Sequence, residues 1–192
     1  MKQQLGIAIR LLLTLSVLTG LMYPLTVTGI AQILLPFQAN GSLVVKDGKV
    51  IGSRLIGQKF SGPEYFHGRP SAAGQNGYDG TSSGGLNLGP TNKQLIDSIA
   101  ERVQTVRGQN ALKADEAVPA DLVTTSGSGL DPDISPAAAL VQANRVATAR
   151  GLDLNVVYNL IEKRISPKQF GLLGEARVNV LELNLAVDAL RP

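Results

Sequence analysis

Residues 11–35 read LLLTLSVLTGLMYPLTVTGIAQILL, and whether this stretch is kept as a membrane span decides the architecture of the whole chain. No charge occurs among the 35 residues from 11 to 45, and the first 25 of these are mostly apolar. At about 1.5 Å of rise per residue, such a stretch crosses ~30 Å of hydrocarbon with some tilt. A cleaved signal peptide would have an apolar core of about 7–15 residues ending in an A-x-A-like site. Here the core is longer, and Gly29-Ile30-Ala31 is a poor cleavage site followed by more apolar sequence. The expectation is a retained span. Pro24, Gly20 and Gly29 would break a soluble helix, but in lipid they are tolerated where neighbouring helices satisfy the freed backbone groups, which hints at a partner in the membrane.

Lys2 and Arg10 precede the span, and the next basic residue is Lys46. The excess of positive charge on cytoplasmic flanks therefore predicts a cytoplasmic N-terminus at residues 1–10, a transmembrane helix at 11–35 and a soluble extracytoplasmic domain at 36–192. Single-pass insertion makes membrane lipid a partner.

The remaining composition excludes several classes of function. Lys and Arg number 18 against 15 acids, and two of those 18 lie before the span, so the rest carries 16 minus 15, or +1. No basic run interleaves with aromatics, so nucleic acid is not an expected partner. With no cysteine there is no disulfide, thiol nucleophile or cysteine metal site, and a single histidine, His67, excludes any His-pair ligand motif.

Past the span, Asp47-Gly48 between Val44-Val45 and Val50-Ile51 predicts a hairpin with a two-residue turn. Residues 54–60 are expected to add a short strand. From Ser61 to Pro90 there are eight glycines and three prolines in 30 residues and no hydrophobic periodicity, so a long loop is expected. Tyr65, Phe66 and His67 beside Arg69-Pro70 argue for order in its first half.

Helix signals follow. Thr91 and Gln94 form a capping-box pattern before the stripe Leu95, Ile96, Ile99, Val103 and Val106, with Gly108 as the expected stop. Ser135-Pro136 opens a second helix that runs to Gly151, with Ser as N-cap and Pro at the first helical position. A third begins at Asp153 and ends in Lys163-Arg164, as the helix dipole favours. The tail, with Val178 and Val180 and then Leu181, Leu185 and Val187, is expected to be a short strand running into a helix. The fold class is α+β (α/β): a small sheet and several helices, anchored by one N-terminal transmembrane helix.

The candidate site residues lie in loops. VTTSGSGLDPDISP (123–136) contains Ser126, Ser128, Asp131 and Asp133, but no GxxxxGK[ST] or GxGxxG phosphate motif and no nucleophile elbow. Catalysis by Ser126 or Ser128 would need a base, and His67 is about 60 residues away in another loop. Asp131 and Asp133 offer oxygen ligands but fall far short of a calcium loop, so no metal site is assigned. The favoured reading is a glycine-permitted turn whose Asp and Ser side chains cap the helix at Ser135. His67 reads as a hydrogen-bonded structural residue. Arg69, between Gly68 and Pro70, suits bracing backbone carbonyls or a carboxylate. His67, Arg69, Ser126, Ser128, Asp131 and Ser135 are therefore candidate interface or structural positions. Asn40-Gly41-Ser42 matches a glycosylation acceptor, a pattern short enough to occur by chance.

Several blocks carry a family resemblance: YPLTVTGIAQILLPFQANGSL in the span region, YFHGRPSA (65–72), SSGGLNLGPTN (82–92), VPADLVTTSGSGLDPDISPAAALVQANRVATARG (118–151) and LLGEARVNVLELNLAVD (172–188). In this order, over nearly the whole chain, they resemble the C subunit of Kdp-type potassium-transporting ATPases. Two departures stand out: Asp133 lies where the family commonly has His, and IEKRISPKQF (161–170) is unlike the usual pattern, which leaves the role of Arg164 open.

The resemblance implies a bacterial inner-membrane complex using ATP, Mg2+ and K+. In it a channel-like subunit binds potassium, a P-type ATPase subunit forms the phospho-aspartate, and this chain is a non-catalytic accessory needed for assembly, stability and coupling. No cofactor is expected on this chain itself. The phosphorylation motif DKTGT is absent from it. The family also carries a proposal that this subunit assists ATP binding by the catalytic subunit. The charge bias sets residues 36–192 on the side away from cytoplasmic ATP, and that topology is preferred here. The alternative of another class is a free-standing membrane-anchored serine hydrolase-like enzyme using Ser126 or Ser128.

Overall fold

The computed structural model describes residues 1–190 and divides into two compact units, Met1–Ile51 and the residues from Gly52 onward. In the first unit, helix α1 (Lys2–Val17) passes through a π-helical turn (Leu18–Met22) into helix α2 (Tyr23–Leu34). Together they form one helical rod of 33 residues that is long and apolar enough to cross a membrane.

The π turn has a local cause. Pro24 has no N–H to donate, and just before it the Tyr23 N–H reaches back five residues to the Leu18 carbonyl, widening the helix by one residue. Thr19 Oγ1 donates to the Leu15 carbonyl at 2.8 Å. The rod stops at Leu35, whose backbone leaves the helical region, and Pro36 starts a single turn, α3 (Pro36–Ala39). Asn40 closes it by donating Nδ2 to the Pro36 carbonyl at 2.7 Å.

Strands β1 (Leu43–Lys46) and β2 (Lys49–Ser53) form the expected hairpin. Its turn residues Asp47 and Gly48 have φ of 51° and 74°, the left-handed pair that a type I′ turn requires. The expected strand at 54–60 does not form; those residues are a turn followed by irregular backbone. Gly57 there donates its N–H to the Leu130 carbonyl at 2.7 Å, and a Cβ on Gly57 would lie 2.6 Å from the Asp131 oxygen. This segment is a close packing strap.

In the second unit α4 spans Lys93–Asn110. Its N-cap is Asn92, whose Oδ1 accepts from the Gln94 N–H at 2.8 Å, one residue past the expected Thr91. The helix also runs through Gly108 and ends at Ala111, which adopts φ 52°, while Asn110 Nδ2 returns to the Val106 carbonyl at 2.9 Å. Of the expected stripe, Leu95, Ile99, Val103 and Val106 are half-buried and Ile96 is exposed.

Helix α5 (Pro136–Arg150) begins at Ser135, whose Oγ accepts from the Ala138 N–H at 3.0 Å, and stops at Gly151 with φ 65°. Helix α6 (Leu154–Arg164) begins at Asp153, whose Oδ1 accepts from the Asn155 N–H at 2.7 Å. Strand β5 (Arg177–Asn179) then runs into α7 (Val180–Asp188), as expected of the tail. Asn179 caps that helix through Glu182.

The second sheet has strand order β3-β5-β4, with β3 at Asp133–Ile134 and β4 at Ile165–Ser166, all antiparallel. Its register aligns Ile134, Val178 and Ile165 in one row, with Ile134 and Val178 buried in the same cluster as the inner faces of α5, α6 and α7. Alanines 138, 139, 143 and 147 on α5 are buried, and such small residues let neighbouring backbones approach closely. Leu183 and Val187 of α7, Val157 and Ile161 of α6 and Val146 of α5 complete the centre. Phe66 and Ala73, from the long loop, are fully buried. That loop is a wall of the core.

Candidate functional site: loops held by arginines and buried amides

The residues singled out in the sequence fall into three neighbouring places. Arg69, Asp121, Asp131, Asp133, Ser135 and Arg177 line one cleft. His67 lines a separate hollow with Arg102, Asn110 and Gln142. Ser126 borders a groove formed with Leu86, Leu88, Leu95 and Ile99.

In the cleft every charge has a partner on this chain. Arg69 Nη1 donates to Asp131 Oδ2 at 3.0 Å, and its Nη2 donates to the Thr125 carbonyl at 3.3 Å. This is the bracing expected of a guanidinium at that position. Asp131 Oδ1 also accepts from the Asp133 N–H at 3.1 Å, closing an Asx turn. Asp133 pairs with Arg177, with Oδ2 3.0 Å from Nε, and accepts from Asn179 Nδ2 at 3.3 Å. Burial pushes the Asp133 carboxyl above the ordinary carboxylate range, with Asp131 adding to the rise, while Arg177 and Asn179 pull the other way. With each carboxylate matched by an arginine, the D-x-D offers a cation no surplus charge.

One expectation is corrected here. The acid that works with the Ser135 cap is Asp121, whose Oδ2 accepts from the Ser135 N–H at 2.6 Å and whose Oδ1 accepts from Ser135 Oγ at 3.2 Å. Asp131 and Asp133 face Arg69 and Arg177 instead, because the turn points them away from the helix start.

The SGSG segment is a close backbone contact. Gly84 donates its N–H to the Ser128 carbonyl at 2.9 Å and Ser83 Oγ donates to the same oxygen at 3.0 Å, while Ser128 Oγ accepts from the Leu130 N–H at 3.1 Å. A Cβ on Gly129, at φ 68°, would meet the Gly84 oxygen at 2.6 Å and the Ala73 nitrogen at 2.7 Å. A Cβ on Gly85 would lie 2.9 Å from the Gly127 oxygen. The glycines let two loops touch. Ser126 Oγ is buried without a hydrogen-bond partner.

His67 is held on both its backbone groups by Gln142: its N–H donates to Oε1 at 2.8 Å and its carbonyl accepts from Nε2 at 3.1 Å. Its ring Nε2 lies 3.0 Å from the Gly62 carbonyl, so the proton sits on Nε2. Burial lowers its pKa, and the nearby Arg145 cation lowers it further. Neither Ser126 nor Ser128 shares a hydrogen bond with this ring, and no nucleophile and base are assembled.

Beside His67, Arg145 ties the loop to α4 and α5. Nη1 donates to the Pro63 carbonyl at 2.6 Å and the Tyr65 carbonyl at 2.9 Å, Nη2 to Gln142 Oε1 at 2.7 Å, and Nε to Asn110 Oδ1 at 3.0 Å. Five residues on, Arg150 donates Nε to the Glu64 carbonyl at 2.7 Å and stacks on Tyr65, 4.8 Å from the ring centre. Its Nη2 sits 2.8 Å from Asp188 Oδ1, close as an ion pair but misaligned for a hydrogen bond.

Comparison with known proteins agrees with these loops and the span together. The family described as KdpC, the K+-transporting ATPase c chain, matches residues 5–189. A potassium-transporting ATPase KdpC subunit of Gemmatimonas aurantiaca is 55% identical over 190 residues, covering 99% of this chain and 94% of the relative. The KdpC subunit of Polaromonas naphthalenivorans is 54% identical over 192 residues, covering 100% of this chain and 97% of the relative. That of Mycobacterium tuberculosis is 53% identical over 190 residues, covering 99% and 100%. The chain belongs to the KdpC family.

It is thus a subunit of a multi-subunit potassium-transporting ATPase, with one N-terminal helix fit to anchor it in a membrane. In this KdpC chain Arg69 and the Ser135 cap are legible in the sequence, whereas Asp121, Gln142, Arg145, Arg150 and Asn184 are not singled out by any motif. Gln142 and Asn184 did leave a signal: each is an amide set inside an apolar helical stripe, where burial obliges it to find a backbone partner. Among the described residues no group of three or more His, Cys, Asp or Glu side chains is placed to hold a metal ion.

Proposed function

We propose that this chain is a non-catalytic accessory subunit that assembles and stabilises the potassium pump and couples its potassium-binding and ATP-hydrolysing subunits. In this reading its span holds residues 36–192 over the extracytoplasmic face of the potassium-binding subunit, in a bacterial inner membrane. ATP and Mg2+ act on the P-type subunit, and K+ passes through the channel-like one. One observation carries the reading: the polar residues of the candidate site are turned onto this chain's own backbone and onto one another, which suits a scaffold and leaves no assembled nucleophile. The orientation is supported by Lys2 and Arg10 before an uncharged stretch of 35 residues. That orientation disfavours contact with cytoplasmic ATP.

The test is co-expression of the tagged chain with the other pump subunits, followed by purification and potassium-stimulated ATP hydrolysis with and without it. Co-purification, with activity lost on omission, is the expected result. A pump that assembles and runs without the chain would overturn the proposal. Ester hydrolysis by the purified chain alone, lost in Ser126→Ala or Ser128→Ala, would favour the serine-hydrolase alternative.

A further inference from the structure

Between β4 and β5 the chain makes a hairpin that carries its apolar side chains outward. Among large hydrophobic side chains of the described residues from Gly52 on, the three most exposed are Phe170 at 86%, Leu172 at 83% and Leu173 at 60%, all on this one tip. The tip is not loose. Gln169 and Leu173 exchange backbone hydrogen bonds of 2.8 and 2.9 Å, and Leu172 donates its N–H to the Gln169 carbonyl at 3.2 Å. Phe170 and Gly171 occupy the turn with φ of 55° and 73°. Glycine and asparagine are the residues that take such positions at little cost; a phenylalanine there is strained. Strain on a solvent-exposed aromatic gains this fold nothing internally, because the ring packs against nothing in its own core.

We propose that Phe170, Leu172 and Leu173 form a plug by which this chain docks into an apolar groove on a sibling subunit of the same ATPase. The inference rests on the reading of the chain as an assembly subunit and names the surface that does the work. A rigid tip presenting one aromatic and two leucines has the make-up of an interface anchor, held in place beforehand so that little ordering entropy is lost on binding. Charge selects a protein over a lipid surface. The hairpin's cations are matched at home: Lys168 Nζ lies 3.0 Å from Glu175 Oε2, and Arg177 Nε lies 3.0 Å from Asp133 Oδ2. A tip recruited by anionic headgroups would keep its lysines and arginines unpaired.

The test uses the full chain co-expressed with the pump subunits and compares wild type with Phe170→Ser/Leu172→Ser. The sibling subunits recovered with the tagged chain are expected to fall roughly tenfold or more, while the variant's own thermal transition stays in place, because Phe170 and Leu172 are both exposed. Wild type that recovers the siblings and a variant that recovers them equally would overturn the plug and leave the assembly role standing. Wild type that recovers no sibling would overturn both. A second arm addresses lipid. The chain has no tryptophan, so Phe170→Trp is a lone reporter. In vesicles of phosphatidylethanolamine and phosphatidylglycerol with brominated acyl chains, its emission is expected to stay red and unquenched. Quenching would overturn the proposal in favour of a membrane-seated tip.

Discussion

Asn184 holds both backbone groups of Phe66 from 118 residues away: its Oδ1 accepts from the Phe66 N–H at 2.8 Å and its Nδ2 donates to the Phe66 carbonyl at 2.9 Å. Both residues are buried, so no water can replace either bond. The pairing makes a strand-like grip without a strand, fixing an irregular loop to α7. Asn184→Ala leaves a buried donor and a buried acceptor unpaired and is expected to cost roughly 2–5 kcal/mol. Asn184→Asp keeps the acceptor but buries a charge and repels the Phe66 carbonyl, so it should be no milder. Thermal unfolding of the full chain in detergent, followed by circular dichroism, measures both; an Asn184→Ala variant as stable as wild type would show that the grip is not structural.

Arg145 is the counterpart on α5. Its fork reaches two loop carbonyls and two side-chain oxygens at once, a task that a point-like ammonium cannot perform. Arg145→Lys is therefore expected to lose about 2 kcal/mol or more although the charge is kept. Limited proteolysis gives the more specific readout: new cleavage within residues 61–70, with the α6–α7 region still protected, is the expected pattern.

The legibility of the sequence follows the range of the interactions. The Asp47-Gly48 turn, the Ser135-Pro136 start, the Gly151 stop and the Asp153 cap were all readable because each is settled by neighbours within about one helical turn. The α4 start lies one residue past the expected Thr91 because Thr91 and Asn92 are both capping residues, and only the observed bond to Gln94 decides between them. Gly108 was expected to end that helix, yet a Cβ there would meet nothing within 4 Å, so no close approach calls for glycine. The candidate site was harder. Its grips join His67 to Gln142 and Phe66 to Asn184, across 75 and 118 residues, and local pattern carries no distance information. Arg69 could be read as a brace, but its partners Thr125 and Asp131 could not be named before the two loops were seen together.

Two glycines with nearly the same φ separate backbone freedom from close approach. Gly129 at 68° sits where a Cβ would collide with the Gly84 and Ala73 backbone, whereas Gly151 at 65° faces open space. Gly151→Ala should cost only the left-handed penalty, about 1–2 kcal/mol. Gly129→Ala adds a contact that no side-chain motion can relieve and should cost clearly more, on the order of 3 kcal/mol or above. Denaturant midpoints of the two variants, measured with the same slope, test the ordering; equal losses would mean that the loops separate freely.

His67 sets a pH dependence. Its folded pKa lies below the ordinary 6.5, because burial and the Arg145 cation disfavour the imidazolium. Between that lowered value and about 6.5 the unfolded chain binds more protons than the folded one, so stability rises with pH through this window and is level above it. Asp133 contributes with the opposite sign: its raised carboxyl pKa means the folded chain holds an extra proton from about 3.8 up to that raised value, and stability falls as pH rises there. The Asp133 slope is common to wild type and a His67 variant, so the difference between their melting series from pH 7.5 down to about 5 isolates the histidine. Wild type is expected to lose stability on acidification below about 6.5, since protonation must break the neutral, buried arrangement beside Arg145. His67→Gln cannot charge and should flatten that loss while Asp133 is left unchanged. If the variant keeps the full acid slope, the proton uptake belongs to another group and the neutral state of His67 does not contribute to stability.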